Sequence, residues 1–134
     1  MQVQLQVNGK AVTINAAPHT LLVQALRDNL KLTGTHVGCD TAQCGVCTVL
    51  MDGKAVKSCN MLLAQAAGTD IETIEGLTQG GRMGRLQQAF HENLGTQCGF
   101  CTPGMVMASE ALLRREPHPD EAQIREALAG NLCR

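Results

Sequence analysis

Tryptophan and tyrosine are absent, and Phe90 and Phe100 are the only phenyl rings in 134 residues. Single-stranded nucleic acid needs rings on which to stack its bases, and a duplex needs a basic stripe. The chain offers neither, having a formal net charge of −1 and no run of Lys or Arg, so nucleic acid is not an expected partner. Hydrophobic residues still make up 44%, so the core has to be aliphatic. No apolar run approaches the ~20 residues of a membrane span, and no secretory leader opens the chain. No Ser-His-Asp set, phosphate loop or dinucleotide fingerprint is present, and no acid pair suggests general acid–base work. Cysteine is the reactive residue in excess, at seven. An odd number without a leader argues for the cytoplasm, and for metal ligation over disulfides.

Four of the seven lie in Thr35 to Cys59, THVGCDTAQCGVCTVLMDGKAVKSC, as Cys39, Cys44, Cys47 and Cys59. The spacing C-x4-C-x2-C with a later fourth Cys is that of plant-type [2Fe–2S] proteins. Two irons need two thiolates each, so one tight loop must present three sulfurs and a later segment the fourth. Gly38 and Gly45 flank the ligands, where a missing Cβ permits φ > 0 and lets backbone N–H groups approach the cluster. Asp52-Gly53 is a hairpin turn that would carry Cys59 back. Zinc is the alternative, because Cys44-x2-Cys47 and Cys98-x2-Cys101 are both C-x2-C pairs. The pairs are far apart for a zinc ribbon, however, and Cys39 would be left over.

The opening residues alternate, with Val3, Leu5 and Val7 on one face, and Asn8-Gly9 turns the chain into Val12 and Ile14. A helix is expected from a Thr20 cap to about Leu30, with Leu21, Leu22, Ala25, Leu26 and Leu30 as its apolar stripe. Ile71 to Ile74 reads as one more strand, ended by Gly76. Hairpin, helix, ligand loop and hairpin is the order of a β-grasp ferredoxin. Thr78 to Gly84 is glycine-rich and reads as a linker. The apolar period then lengthens to that of helices. One helix is marked by Leu86, Ala89, Phe90 and Leu94. A second starts with Thr102 as cap and Pro103 at the first position, and runs to Arg115. A third spans Pro119 to Ala129, with Gly130 just past its end. The expected class is α+β: a ferredoxin-like domain over 1–76 and an all-α helical-bundle domain over 77–134.

Cys98 and Cys101 lie just before the second helix, whose N-terminus favours thiolate, and Cys133 lies just after the third. Gly99 leaves room between the first two. Taken alone, this C-x2-C could be a redox pair. The histidines, His19, His36, His91 and His118, sit away from ligand spacing and are expected at the surface or in loops. Met105 and Met107 read as packing residues, and Glu72 and Glu75 as solvated strand-edge charges.

Together, THVGCDTAQCGVCTV, KSC, IETIEGL, QCGFCTPGM and AGNLCR resemble the iron–sulfur subunit of the molybdenum hydroxylases, the xanthine oxidase family. Within it, GCDTAQCG is most similar to small subunits of aerobic carbon monoxide dehydrogenases. The resemblance implies two [2Fe–2S] clusters, one in the ferredoxin-like domain and one in a four-helix domain. It implies two partners, a large molybdopterin subunit together with a medium FAD subunit, in a dimer of heterotrimers. Electrons would pass from molybdenum through the helical cluster, then the ferredoxin-type cluster, to FAD. Cys98, Cys101 and Cys133 would hold the molybdenum-proximal cluster, and the Gln97 amide would bond the pterin. The chain would then be an electron-transfer subunit with no substrate-converting site of its own. Carbon monoxide is the substrate the finer resemblance implies, with an aldehyde, a purine or an N-heterocycle as alternatives. A free ferredoxin and a zinc-binding module are the remote ones. The family pattern continues beyond Cys133-Arg134 with another Cys and a helix. The expectation is that both follow Arg134, the helix packing on Leu112 and Leu128.

Overall fold

The computed structural model describes residues 1–134. Strands β1 (Gln2–Val7) and β2 (Lys10–Asn15) pair antiparallel, with Val3 opposite Ile14. Asn8 and Gly9 turn between them at φ 51° and 80°, the left-handed pair that a two-residue hairpin demands. A second hairpin joins β3 (Thr48–Met51) to β4 (Lys54–Lys57) through Asp52 and Gly53, at φ 50° and 82°. The sheet order is β2-β1-β5-β3-β4, with the short β5 (Asp70–Glu72) parallel to β1 and antiparallel to β3. β5 is shorter than expected: its pairing stops at Glu72, and Ile74–Leu77 form a 3₁₀ turn.

The first helix departs from its expected form. Helix α1 covers Leu22–Gln24 and continues as a π turn over Ala25–Asn29, closed by Leu30 N–H donating to the Ala25 carbonyl at 3.0 Å. Thr20 does not cap it. The Leu22 N–H donates instead to the Met61 carbonyl at 2.8 Å, and Leu21 N–H to the Gln24 side chain at 2.9 Å. A neighbouring segment thus satisfies a helix-start donor that a threonine would otherwise serve.

Three helices follow: α2 (Arg85–Glu92), α3 (Thr102–Arg115) and α4 (Glu121–Leu128). Leu94 lies beyond α2 with φ 56° and is 87% exposed, so it is not part of that helix's stripe. In α3 the cap position is Cys101 and Thr102 is already helical. In α4 the Asp120 carboxylate accepts from the Gln123 N–H while the Gln123 amide accepts from the Asp120 N–H, 2.8 Å each, a capping box. Gly130 does not take up a left-handed conformation.

Two apolar cores meet on β3. Val3, Leu5, Val7, Ile14, Leu22, Leu26, Val49 and Ile71 pack beneath α1. Leu50, on the opposite face of β3, packs with Met107 and Ala111 of α3 and with Ile74 and Leu77. A strand covered on both faces loses the alternation of a half-exposed one, which is why Thr48, Val49 and Leu50 are all buried. Leu112 is buried within the chain, so it offers no free face for a further helix; Leu128 is half-buried. No helix is long and apolar enough to cross a membrane.

Candidate metal centres

The loop before the first thiol is held from two sides. Arg27 Nη1 donates to the Thr33 and Thr35 carbonyls, at 2.7 Å each. From the other side, Gly34 N–H donates to Glu75 Oε2 at 2.8 Å, and the Thr73 hydroxyl donates to Glu75 Oε1 at 2.9 Å. Glu75 is therefore a loop anchor, and Glu72 accepts from Arg114 of α3. Neither is the solvated edge charge expected from the sequence.

Asp40, Ala42 and Gly45 take left-handed φ values of 58°, 59° and 74°. These bends turn the N–H groups of Thr41 and Cys44 onto Cys39 Sγ, each at 3.4 Å. Gly45 is needed twice over, since a Cβ there would also strike the Gly130 carbonyl oxygen. Gly38 corrects its expectation, because its φ is not positive. Its role is space: a Cβ would stand 3.0 Å from Val46 Cγ2 and 3.1 Å from Cys44 Sγ. Gly99 is the reverse case, with φ 84° and only an ordinary 3.5 Å contact in prospect. Cys47 is buried at the head of β3, and Cys59 follows β4. The Ser58 hydroxyl donates to the Cys47 carbonyl at 2.6 Å, which ties the end of the second hairpin to its beginning and sets the two thiols side by side.

The thiols are poised unequally. The Thr41 side chain, with the N–H groups of Cys44, Thr41 and Gln43, holds the Cys39 thiol down to about 6. Burial pushes Cys44 up, assisted by Cys39. Burial and the neighbouring Cys47 and Cys39 push Cys59 up to about 11. A thiol held protonated by burial and by a neighbouring thiol, as Cys44 and Cys59 are, is in the state that a bound cation relieves, because the metal ligand is the thiolate.

In the second set, burial raises the Cys101 pKa, and the neighbouring Cys133 adds to it. The lowering expected from the start of α3 is outweighed. Cys98 is exposed on the loop before α3, as is Gln97, whose side chain makes no hydrogen bond within the chain. The C-terminal segment that carries Cys133 is tied to the backbone of the first set. Leu132 N–H donates to the Cys44 carbonyl at 2.8 Å, and Asn131 Nδ2 donates to the Gly45 carbonyl at 3.0 Å. Gly104 of α3 rests on the same backbone, where a Cβ would lie 2.9 Å from Val46 Cα. Sequence reasoning missed Asn131, Leu132 and Gly104. Only the glycine, one turn into a helix, carried a local signal that something approaches it closely.

All seven cysteines are free thiols. Three thiols are raised by a neighbouring one: Cys44 by Cys39, Cys59 by Cys47, and Cys101 by Cys133. Paired thiolates are what each iron of a [2Fe–2S] core takes, so these residues fit that group. A single zinc ion needs its ligands around one point, and no three Cys, His, Asp or Glu side chains are so arranged.

Known proteins give the same picture. Residues 5–76 match the family model of a 2Fe-2S iron-sulfur cluster binding domain, and residues 73–134 that of a [2Fe-2S] binding domain. The chain is 50% identical to the caffeine dehydrogenase subunit gamma of Pseudomonas sp. strain CBB1, over 98% of this chain and 81% of that one. It is 47% identical to a nicotinate dehydrogenase subunit of Pseudomonas putida, over 98% and 84%. Its structure is similar to quinoline 2-oxidoreductase from Pseudomonas putida 86, with a TM-score of 0.97 and 42% identity, covering 100% of this chain and 83% of that one. With both cluster-binding domains matched end to end, the chain belongs to the iron–sulfur small subunits of the molybdenum hydroxylase (xanthine oxidase) family of oxidoreductases.

Proposed function

We propose that the chain is the electron relay of a molybdenum hydroxylase complex acting on an N-heterocycle. Cys39, Cys44, Cys47 and Cys59 hold one [2Fe–2S] cluster; Cys98, Cys101 and Cys133 hold the other. When bound, each supplies a one-electron carrier whose potential its protein shell tunes. The observation that carries the reading is the bond from Leu132 N–H to the Cys44 carbonyl. It ties a residue adjacent to one ligand set directly to a ligand of the other, as a relay between two carriers requires.

The two units are taken as 1–76 and 77–134. The molybdopterin subunit docks over Gln97 and Cys98, where the amide is exposed and uncommitted. The FAD subunit docks on the ferredoxin-like side, and the complex is a dimer of heterotrimers. Seven unpaired thiols support a cytoplasmic location. The relatives reported above are named for caffeine, nicotinate and quinoline, all nitrogen heterocycles, and caffeine is a purine. None is named for carbon monoxide, so the finer expectation from GCDTAQCG has no support there. The test is to purify the native complex and assay it with an artificial electron acceptor. Nicotinate, xanthine and caffeine are offered against carbon monoxide and benzaldehyde. Turnover of carbon monoxide alone would overturn the substrate class; a preparation without molybdenum and flavin would overturn the complex.

A further inference from the structure

The loop carrying Cys98 and Cys101 is pinned to the first half of the chain by a pair outside both thiol sets. His36 Nδ1 lies 2.8 Å from the Phe100 carbonyl oxygen. A carbonyl only accepts, so Nδ1 carries the proton and donates. The two rings also stack, with centroids 4.5 Å apart and planes 12° from parallel. Phe100 stands between Cys98 and Cys101, and His36 stands three residues before Cys39. The ring is 47% exposed. His36 covers it on one side, and Gly38 lies within ordinary contact distance on another.

The neighbouring attachments do not do this work. Cys133 is fixed through Leu132, and α3 through Gly104 resting on Gly45. Within 96–101 the other side-chain bond stays in the second half, between the Thr96 and Thr102 hydroxyls. His36 to Phe100 is the only hydrogen bond from residues 96–101 to the ferredoxin-like half.

We propose that His36 is a positioning residue for electron transfer, fixing the Cys98–Cys101 loop against the Cys39–Cys44 loop. Electron transfer falls steeply with separation, so a carrier held partly by a mobile loop passes electrons less often. The inference rests on the two-cluster reading above.

The experiment uses the complete complex with three substitutions. His36→Asn keeps an amide N–H close to the place of Nδ1, His36→Gln puts its amide near the place of Nε2, and His36→Leu has no donor. Iron per chain, the magnetic splitting between the two reduced clusters in EPR, and the rate of flavin reduction are compared with wild type. The Leu and Gln variants should keep their iron, lose splitting and reduce flavin more slowly. Amide exchange at Gly99 to Cys101 should quicken about fivefold in both, as the loss of one ordinary hydrogen bond gives. The Asn variant should restore splitting and rate. Wild-type splitting and rate in the Leu variant would overturn the proposal, and so would an Asn variant as slow as Leu. Loss of iron from both the Leu and Gln variants would make His36 a folding residue and also overturn it. A wild-type complex without two clusters would instead overturn the relay reading, and this inference with it.

Discussion

Arg114 of α3 reaches Glu72 of β5 across the junction of the two halves, with Nη1 2.5 Å from Oε2. The same guanidinium donates from Nε to Glu110 Oε1 at 3.1 Å, one helical turn back. The pair is 39% and 29% exposed, so water screens it. Arg114→Ala should cost no more than about 1 kcal/mol, read as a shift in denaturant midpoint. The shift should shrink further in high salt.

The close approach of Gly104 is a stronger constraint. Its Cβ would meet backbone atoms of Gly45 and Val46 that cannot turn aside. Gly104→Ala should therefore cost about 1–3 kcal/mol, whereas the same change at an exposed site of a helix would stabilise. Thermal unfolding of Gly104→Ala beside wild type measures the cost directly. An unchanged midpoint for Gly104→Ala would show that α3 can lift away freely.

Cys44→Ser should remove the ferredoxin-type cluster and leave about two irons per chain instead of four. Substrate should still reduce the molybdenum site in a single turnover while flavin stays oxidised. Flavin reduction at the wild-type rate would reverse the proposed order of carriers.

Gln97→Leu should leave stability within about 0.5 kcal/mol of wild type, as an exposed side chain without partners allows. Iron content should not change. Electron transfer out of the molybdenum site should slow if the amide bonds the pterin; unchanged turnover would make Gln97 an ordinary loop residue.

The metal-free chain should show two thiols of opposite character. Cys39 is held at about 6 in the folded protein, below the ordinary 9.0. The unfolded chain then binds more protons between those values, so this group makes folding more favourable as pH rises from 6 to 9. Its contribution is complete above 9 and lost as pH falls through 6. Cys59, raised to about 11, works the other way and withdraws stability between 9 and 11. At pH 7.5, alkylation mapped by peptide mass should mark Cys39 well before Cys59. Equal labelling would show that the Thr41 turn does not hold its thiolate in solution.

The grouping of the first four thiols was legible because their spacing is local: three share one loop, and Asp52-Gly53 announces the turn that returns the fourth. The β1–β2 hairpin was legible for the same reason. The anchors were not. Glu75 and Arg27 act on backbone groups 41 and 8 residues away, and no window of sequence shows that a carboxylate will find a glycine N–H. Gly38 and Gly99 could be picked out as necessary, but the reason for each depends on what lies beside it. Thr20 resembled a cap until the Met61 carbonyl took that duty. His36 carried no sign of the ring that would stack on it.

β3 serves as a party wall. Val49 faces one room and Leu50 the other, so each half is finished with masonry that belongs to its neighbour. The helical half is the poorer tenant, since Met107 and Ala111 lean on Leu50 and Ile74 of the first half, with Leu77 beside them. Residues 77–134 expressed alone should therefore lack a floor and show little helix by circular dichroism, while residues 1–76 keep their sheet. The two halves could not have been traded freely between proteins like beads on a string; whichever acquired the other had to supply the wall.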